Sequence, residues 1–224
     1  MQQTADFRRV MVDLRGASRS GAPATVSAGP SEFIKPDWAA PLDLDARLER
    51  IPKHATVRGL FFNDLFAQFS AARAHAERER YLAFKSYPFT EWCRVLTKAA
   101  EACFPQETPR EGVRRIGRRA LPALAESQAG KVLFALAGQD VLSVIRISSK
   151  AFALAQSHGS CEVRSVEPGV ALLHIREAWD YPDAYYVGVY EGVFDAFGQH
   201  GEVDVCVRSL CDVDLRLRFA PIAH

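Results

Sequence analysis

The chain has 224 residues, 48% hydrophobic and 25% charged, with a formal net charge of +1. That is the size of one ordinary domain with a well-filled core, and so neutral a balance gives no field to hold nucleic acid or an anionic membrane surface. No apolar run approaches membrane-spanning length. The first residues carry Asp6, Arg8, Arg9, Asp13 and Arg15 with no apolar block of the secretory kind. Five cysteines make an odd count, so reduced thiols and a cytoplasmic setting are expected.

Residues 1–40 hold the tracts Gly16-Ala17-Ser18-Arg19-Ser20-Gly21-Ala22-Pro23 and Ala28-Gly29-Pro30, too poor in apolar side chains to bury much. They read as a flexible leader to a single α+β domain over 41–224. Leu42, Leu44, Ala46 and Leu48 alternate with Asp43, Asp45, Arg47 and Glu49, which is strand periodicity. Thr56 then offers a cap to a helix through Leu60, Phe61, Leu65, Phe66 and Phe69. Residues 73–80 are a charged link. Thr90 caps the next helix, striped by Trp92, Val95, Leu96, Ala99 and Cys103, and Pro105 and Pro109 mark a break. A helix over 111–124 follows, with two shorter apolar ones over 131–137 and 141–147. Ser148 or Ser149 caps a last one, which stops at His158-Gly159.

From Cys161 the period changes. Glu162 to Val166 and Ala171 to Arg176 flank Glu167-Pro168-Gly169, the residues of a tight turn. Residues 202–208 and 212–219 alternate strictly, Val203, Val205, Val207, Val213, Leu215, Leu217 and Phe219 to one side and Asp204, Arg208, Asp214, Arg216 and Arg218 to the other. Between these hairpins, 182–197 has helical spacing. The expectation is therefore α+β: an N-terminal helical layer followed by ββαββ with a four-stranded antiparallel sheet.

Chemistry-bearing patterns are few. Arg110, Arg114, Arg115, Arg118 and Arg119 form a basic stripe on one helix. It is either a solvated face with intrahelical pairs or a contact for an anion or an acidic partner. Trp179, Tyr181 and Tyr185, at the hairpin-to-helix junction, are candidates to rim an apolar pocket. Gly188 and Gly192 lie on one side of a helix, where each costs roughly 1 kcal/mol relative to alanine. Such a cost implies close approach by a helix of the same chain or, alternatively, a homodimer contact. Cys206 and Cys211 have only Cys161 and His174 as extra partners for a metal, and small buried thiols are the simpler reading. No Gly-x-Ser-x-Gly, Walker, His-Glu-x-x-His or Cys-x-x-Cys motif occurs. His174 with Glu177 or Asp180 is the nearest to an acid–base pair, and alternation sends His174 and Glu177 to opposite faces. Neither a catalytic set nor a cofactor is expected.

Val57-Arg58-Gly59-Leu60-Phe61-Phe62-Asn63, Tyr81 to Tyr87, Gly117-Arg118-Arg119-Ala120 and Gly188-Val189-Tyr190-Glu191-Gly192 together resemble an uncharacterised myxobacterial family of cytosolic paralogues, over about residues 42–219. More distantly, the layout is similar to the superfamily of haem-NO-binding domains, 4-vinyl-reductase-type sensors and transport-protein-particle (TRAPP) subunits, in which helices precede a ββαββ half. Haem-binding members carry a Tyr-x-Ser-x-Arg motif and a helical proximal histidine. No such motif occurs here, and His158 stands at a helix end beside Gly159, so the resemblance does not carry haem with it. It implies a non-catalytic regulatory or sensory module for a small apolar or anionic ligand. The alternative is a TRAPP-like scaffold working through protein contacts, and an enzyme ranks last.

Overall fold

The computed structural model describes residues 33–126, 131 and 140–220. Residues 1–32 of the expected leader and most of the helix expected over 131–137 lie outside them. Residues 33–40, grouped with the leader by composition, lie on the body: Ile34 exchanges backbone hydrogen bonds with Val205 (2.9 and 2.8 Å), and Trp38 packs on the apolar core.

Leu44–Arg50 is a helix, α1, where alternation predicts a strand. A period of two contains a period of four, so Leu44 and Leu48 share a helical face as readily as a strand face. Asp43 decides the matter by accepting from the Ala46 amide at 3.2 Å, which caps the first turn. Strand β1 (Thr56–Arg58) follows, paired antiparallel with β2 (Ser86–Pro88). Thr56 is therefore no helix cap: its hydroxyl meets Ser157 Oγ at 2.9 Å, and α2 (Gly59–Gln68) starts without a side-chain cap. The charged link holds a 3₁₀ turn (Ser70–His75) and a loop fixed by buried Glu91. That carboxylate accepts a fork from Arg78 at 3.0 Å and the Tyr81 hydroxyl at 2.6 Å. Helix α3 (Phe89–Cys103) begins directly after Pro88, which puts Thr90 inside its first turn rather than at the cap. Next come α4 (Pro109–Glu126), α5 (Val141–Arg146), capped by Asp140, and α6 (Ser148–Ala155), whose cap position is Ile147 rather than a serine.

The last third folds as ββαββ. Strands β3 (Ser160–Glu167) and β4 (Val170–Arg176), helix α7 (Tyr185–Ala196), and strands β5 (Gly201–Val207) and β6 (Val213–Phe219) build an antiparallel sheet in the order β3-β4-β6-β5. Gly169, at φ +79°, supplies the left-handed residue of the first turn. The inner face carries Leu173, Ile175, Leu215 and Leu217, all fully buried, with Val187, Val193 and Phe194 of α7 packed over them. Val207, placed inward by alternation, is 53% exposed at its strand end, and Cys206 on the other side is buried.

The outer face carries charge. Asp204 lies under Lys35, Arg216 and Arg218 at about 3 Å, and Asp214 under Arg176 and Arg208. Burial alone raises both carboxyls; the cations reverse this and hold them below the ordinary range. A second apolar cluster, around Phe62, Phe89 and Leu96, fills the helical part, and Trp38 and Tyr186 touch both clusters. No described helix is long and apolar enough to cross a membrane.

Candidate ligand cavity

Helix α7 has two flanks, and its sequence makes them different. On one, a methyl group at Gly188 would overlap the Arg114 carbonyl oxygen and one at Gly192 that of Arg118. From α4, Gly117 presses in the same way on the Tyr185 carbonyl. The glycines therefore serve a helix of the same chain, and α4 fills the face that the homodimer alternative needed.

The arginine stripe is divided: Arg110 and Arg114 belong to the seam of that contact, Arg118 closes its solvent end, and Arg115 and Arg119 are exposed. Arg114 donates from Nε and Nη2 to Glu191 at 2.8 and 2.9 Å, and Arg118 Nη2 to Asp195 at 2.8 Å. Arg110, itself buried, pairs with Asp183 and donates to the carbonyls of Ala40 (3.0 Å) and Pro41 (2.9 Å). Arg115 reaches Glu107, just before the helix, at 2.6 Å, and Arg114 makes an intrahelical pair with Glu111 at 2.5 Å. Arg115, Arg118 and Arg119 also line an open cleft beside Phe69 and Phe104.

On the other flank the packing is incomplete. Tyr186, Val189 and Val193 of α7 face Ala151, Phe152 and Ala155 of α6 across an apolar cavity of about 110 Å³. Val57, Phe61 and Trp92, from β1, α2 and α3, also line it, as do Val144 and Ile147. Small alanines on α6 stand opposite valines on α7, so the two helices leave space between them instead of interlocking.

Two polar side chains enter this apolar wall. Asp180 is 4% exposed and Gln156 is 7% exposed; both line the cavity, and Asp180 Oδ1 and Gln156 Nε2 are buried without a hydrogen-bond partner. Burial pushes the Asp180 carboxyl up to about 6, while the Trp92 indole, the Tyr186 hydroxyl and the charge of Arg47 keep it from rising further. Cys161, also on the wall, has its sulfur 3.9 Å from the Tyr190 hydroxyl, and burial pushes its thiol up to about 11. The gaps left by unpartnered buried polar atoms are where ligand atoms would be held.

Of the three aromatic residues expected at a pocket, the structure brings one to it. Tyr185 lines the cavity. Trp179 and Tyr181 lie in the helical core, where Tyr181 is fully buried with its hydroxyl 2.8 Å from Thr97 Oγ1 and φ +59°. Arg47, buried by α1, lies 4.3 Å over the Tyr181 ring and donates to the carbonyls of Trp179 and Leu210. This lock holds the 177–184 junction and so aims Asp180. An α1 mistaken for a strand conceals it.

The remaining candidates scatter. His174 is on the outer face opposite Asp214, away from Asp180 on the cavity wall. His158 packs edge-on to Phe89 at 4.7 Å, and burial lowers its pKa. Among the described residues no three His, Cys, Asp or Glu side chains converge as a metal site, and the cysteines are unbridged.

The profile of a protein family of unknown function, DUF2378, matches residues 50–219. The chain belongs to that family. No curated protein matches it. Among solved structures, this DUF2378 member is similar to an H-NOX protein from S. oneidensis in the Fe(II)NO ligation state, at 14% identity and TM-score 0.58, over 73% of this chain and 99% of that one. It is also similar to the Fe(II) unliganded H-NOX protein from K. algicida, at 10% identity and TM-score 0.56 over 75% and 98%. An oxygen-binding H-NOX domain related to soluble guanylate cyclases matches at 14% identity and TM-score 0.55 over 74% and 95%. At such identities the likeness is one of fold, and the fold of this DUF2378 chain is H-NOX-like.

Proposed function

We propose that the protein is a non-catalytic sensory or regulatory module of the cytoplasm, binding a small, mostly apolar ligand in the cavity between α6 and α7. The observation that carries this reading is the cavity itself: apolar walls with two unpartnered polar groups, within a fold whose solved neighbours include gas-ligated H-NOX proteins. Natural cores rarely keep both a void and orphaned polar atoms unless something occupies the place. Of the two ligand classes the sequence suggests, the apolar one is favoured. An anion would meet the Asp180 carboxylate, and the arginines expected to attract it are engaged with Glu191, Asp195 and Asp183.

Haem, which the neighbours' iron states imply for them, does not fit these residues. About 110 Å³ is less than the roughly 150 Å³ that takes up benzene, and a porphyrin is several such rings across. The described lining also offers no imidazole as axial ligand and no lysine or arginine for propionates. An occupant would instead be a molecule of a few heavy atoms. Its binding would brace α6 against α7, stabilising the occupied state by about 2.7 kcal/mol at a hundredfold excess over Kd.

Methyl NMR under xenon pressure, repeated with benzene, tests the reading. Saturable shifts are expected at Val144, Val189 and Val193, and Ala151→Leu should abolish them. A chain whose methyl groups ignore both probes at saturation has no such site. The scaffold alternative draws on the open cleft at Arg115, Arg118 and Arg119. It requires that Arg115→Glu with Arg119→Glu release a captured partner protein while the cavity mutant retains it.

A further inference from the structure

Benzene and xenon report only the apolar part of the wall, and the cavity is not uniformly apolar. We propose that its ligand is a small aliphatic or aromatic amine, whose ammonium group is held by Asp180 while its hydrocarbon part fills the space between Phe152, Val189 and Val193. This rests on the ligand-binding reading above and names the chemical class of the ligand.

The argument runs from the carboxylate outward. Asp180 is buried, lines the cavity, and has an Oδ1 that no protein group satisfies. Trp92 and Tyr186 lie beside the carboxyl group and help to hold its pKa down, while Oδ1 is left for a partner from the cavity side. Arg47 is the cation whose charge Asp180 feels, but it does not line the cavity: its Nη1 donates to the carbonyls of Trp179 and Leu210, its Nε is without a partner, and its guanidinium lies over the Tyr181 ring. The other titratable groups around Asp180 are Cys93, Tyr185 and Tyr186. Burial raises the pKa of each, so each stays neutral and none brings a charge to the carboxylate.

An ionised carboxyl facing a dry apolar space is costly, and a cation with its own N–H donors relieves that cost more than a neutral donor does. Gln156 Nε2, the second unpartnered atom on the wall, is a donor. That nitrogen cannot accept from an ammonium, which leaves Asp180 Oδ1 as the unpartnered acceptor on the wall. The aromatic rings of Tyr185, Tyr186 and Phe152 present the faces and edges that suit a cation's alkyl neighbours.

Isobutylamine, isobutanol and isobutyrate make a matched set, cation, neutral and anion on one carbon frame. Titrated by calorimetry into the full chain at neutral pH, the amine should bind at least about tenfold more tightly than the alcohol, the equivalent of one charge-assisted hydrogen bond over a neutral one. The carboxylate should not bind at all. Asp180→Asn should erase the amine preference yet leave xenon uptake intact.

Equal affinity for amine and alcohol in the natural chain overturns the proposal, as does an Asn variant that keeps the preference. If Asp180→Asn does not fold, the ratio measured on the natural chain decides alone. Xenon binding without amine preference defeats only this inference. Failure of xenon, benzene and amine together defeats the cavity reading, and this one with it.

Discussion

The two flanks of α7 solve opposite packing problems. Toward α4, Gly188 and Gly192 bring backbone onto backbone, and Arg114–Glu191 and Arg118–Asp195 close the seam from above. Toward α6, the same helix offers tyrosines and valines to alanines and leaves a cavity with a buried carboxylate in it. The contrast teaches that the H-NOX-like frame is closely packed on the side that joins the helical part to the sheet. Among the described residues it leaves space beside α6, a short helix that leans on the sheet. A module that must respond to a small molecule needs one flank fixed, so that occupancy of the other is read as a change in α6 rather than lost in a general loosening.

The largest effect should come from closing off the tight flank. Gly188→Ala gains about 1 kcal/mol of helix propensity, yet its methyl overlaps the Arg114 carbonyl, and overpacking against backbone that cannot step aside costs about 3 kcal/mol or more. A urea midpoint shifted strongly downward is the expected result. A neutral or stabilising Ala at this position would mean that α4 and α7 do not touch as described, and the comparison between flanks would lose its fixed half.

Much of this frame was legible from residues alone, and the limits follow from particular positions. Hairpin alternation and the Glu167-Pro168-Gly169 turn gave the ββαββ half nearly to the residue, because a period of two with a turn between leaves little freedom of register. Gly188 and Gly192 announced a close helix, though not which one. The arginine stripe was visible, but its partners Glu191 and Asp195 were not, since they lie far along the chain and only folding brings them alongside. The cavity was illegible for a different reason. Whether Ala151 and Ala155 leave a void or are filled by a neighbour depends on a methyl group here or there, and no periodicity encodes that. Asp180 was noticed only as a partner for His174, whereas its burial next to Gln156 gives it its chemistry.

On the compliant flank, Asp180→Asn should have the next largest effect, and its sign depends on pH. The folded carboxyl titrates at about 6 against 3.8 for an ordinary aspartate. A raised folded pKa means that the native state holds its proton more tightly than the unfolded chain. The stability this brings is fully present below 3.8 and is lost as pH rises through 6. Removing the charge should therefore stabilise the protein above that window. The shift corresponds to about 3 kcal/mol, of which burying the new amide takes back part, leaving about 2. Thermal melts at neutral and acidic pH should converge as the pH falls below 4 or so; a gain that persists in acid would show that the wild-type carboxyl carries no burial penalty. Filling the cavity by Ala151→Leu comes next, with a gain of about 1 kcal/mol. A loss instead would show that the space is already occupied by side chains.

The smallest effect belongs to the exposed end of the tight flank, and it discriminates between what holds α4 to α7. Arg118 and Asp195 are 45% and 52% exposed, whereas Arg114 and Glu191 are 22% and 17% exposed. A pair open to solvent competes with water and salt and contributes from nothing to about 1 kcal/mol, mostly near the low end. Arg118→Gln should therefore move the urea midpoint by no more than about 0.5 kcal/mol, and less as salt is raised. Glu191→Gln, which leaves the half-buried Arg114 with Glu111 as its one carboxylate partner, should cost about twice that or more. If the two substitutions cost the same, the seam is held by its glycine-to-backbone contact alone and the arginines only decorate it. If Arg118→Gln is the worse of the two, the charge that anchors the rigid flank sits at its solvent end, and the flank is fixed by electrostatics rather than by close packing.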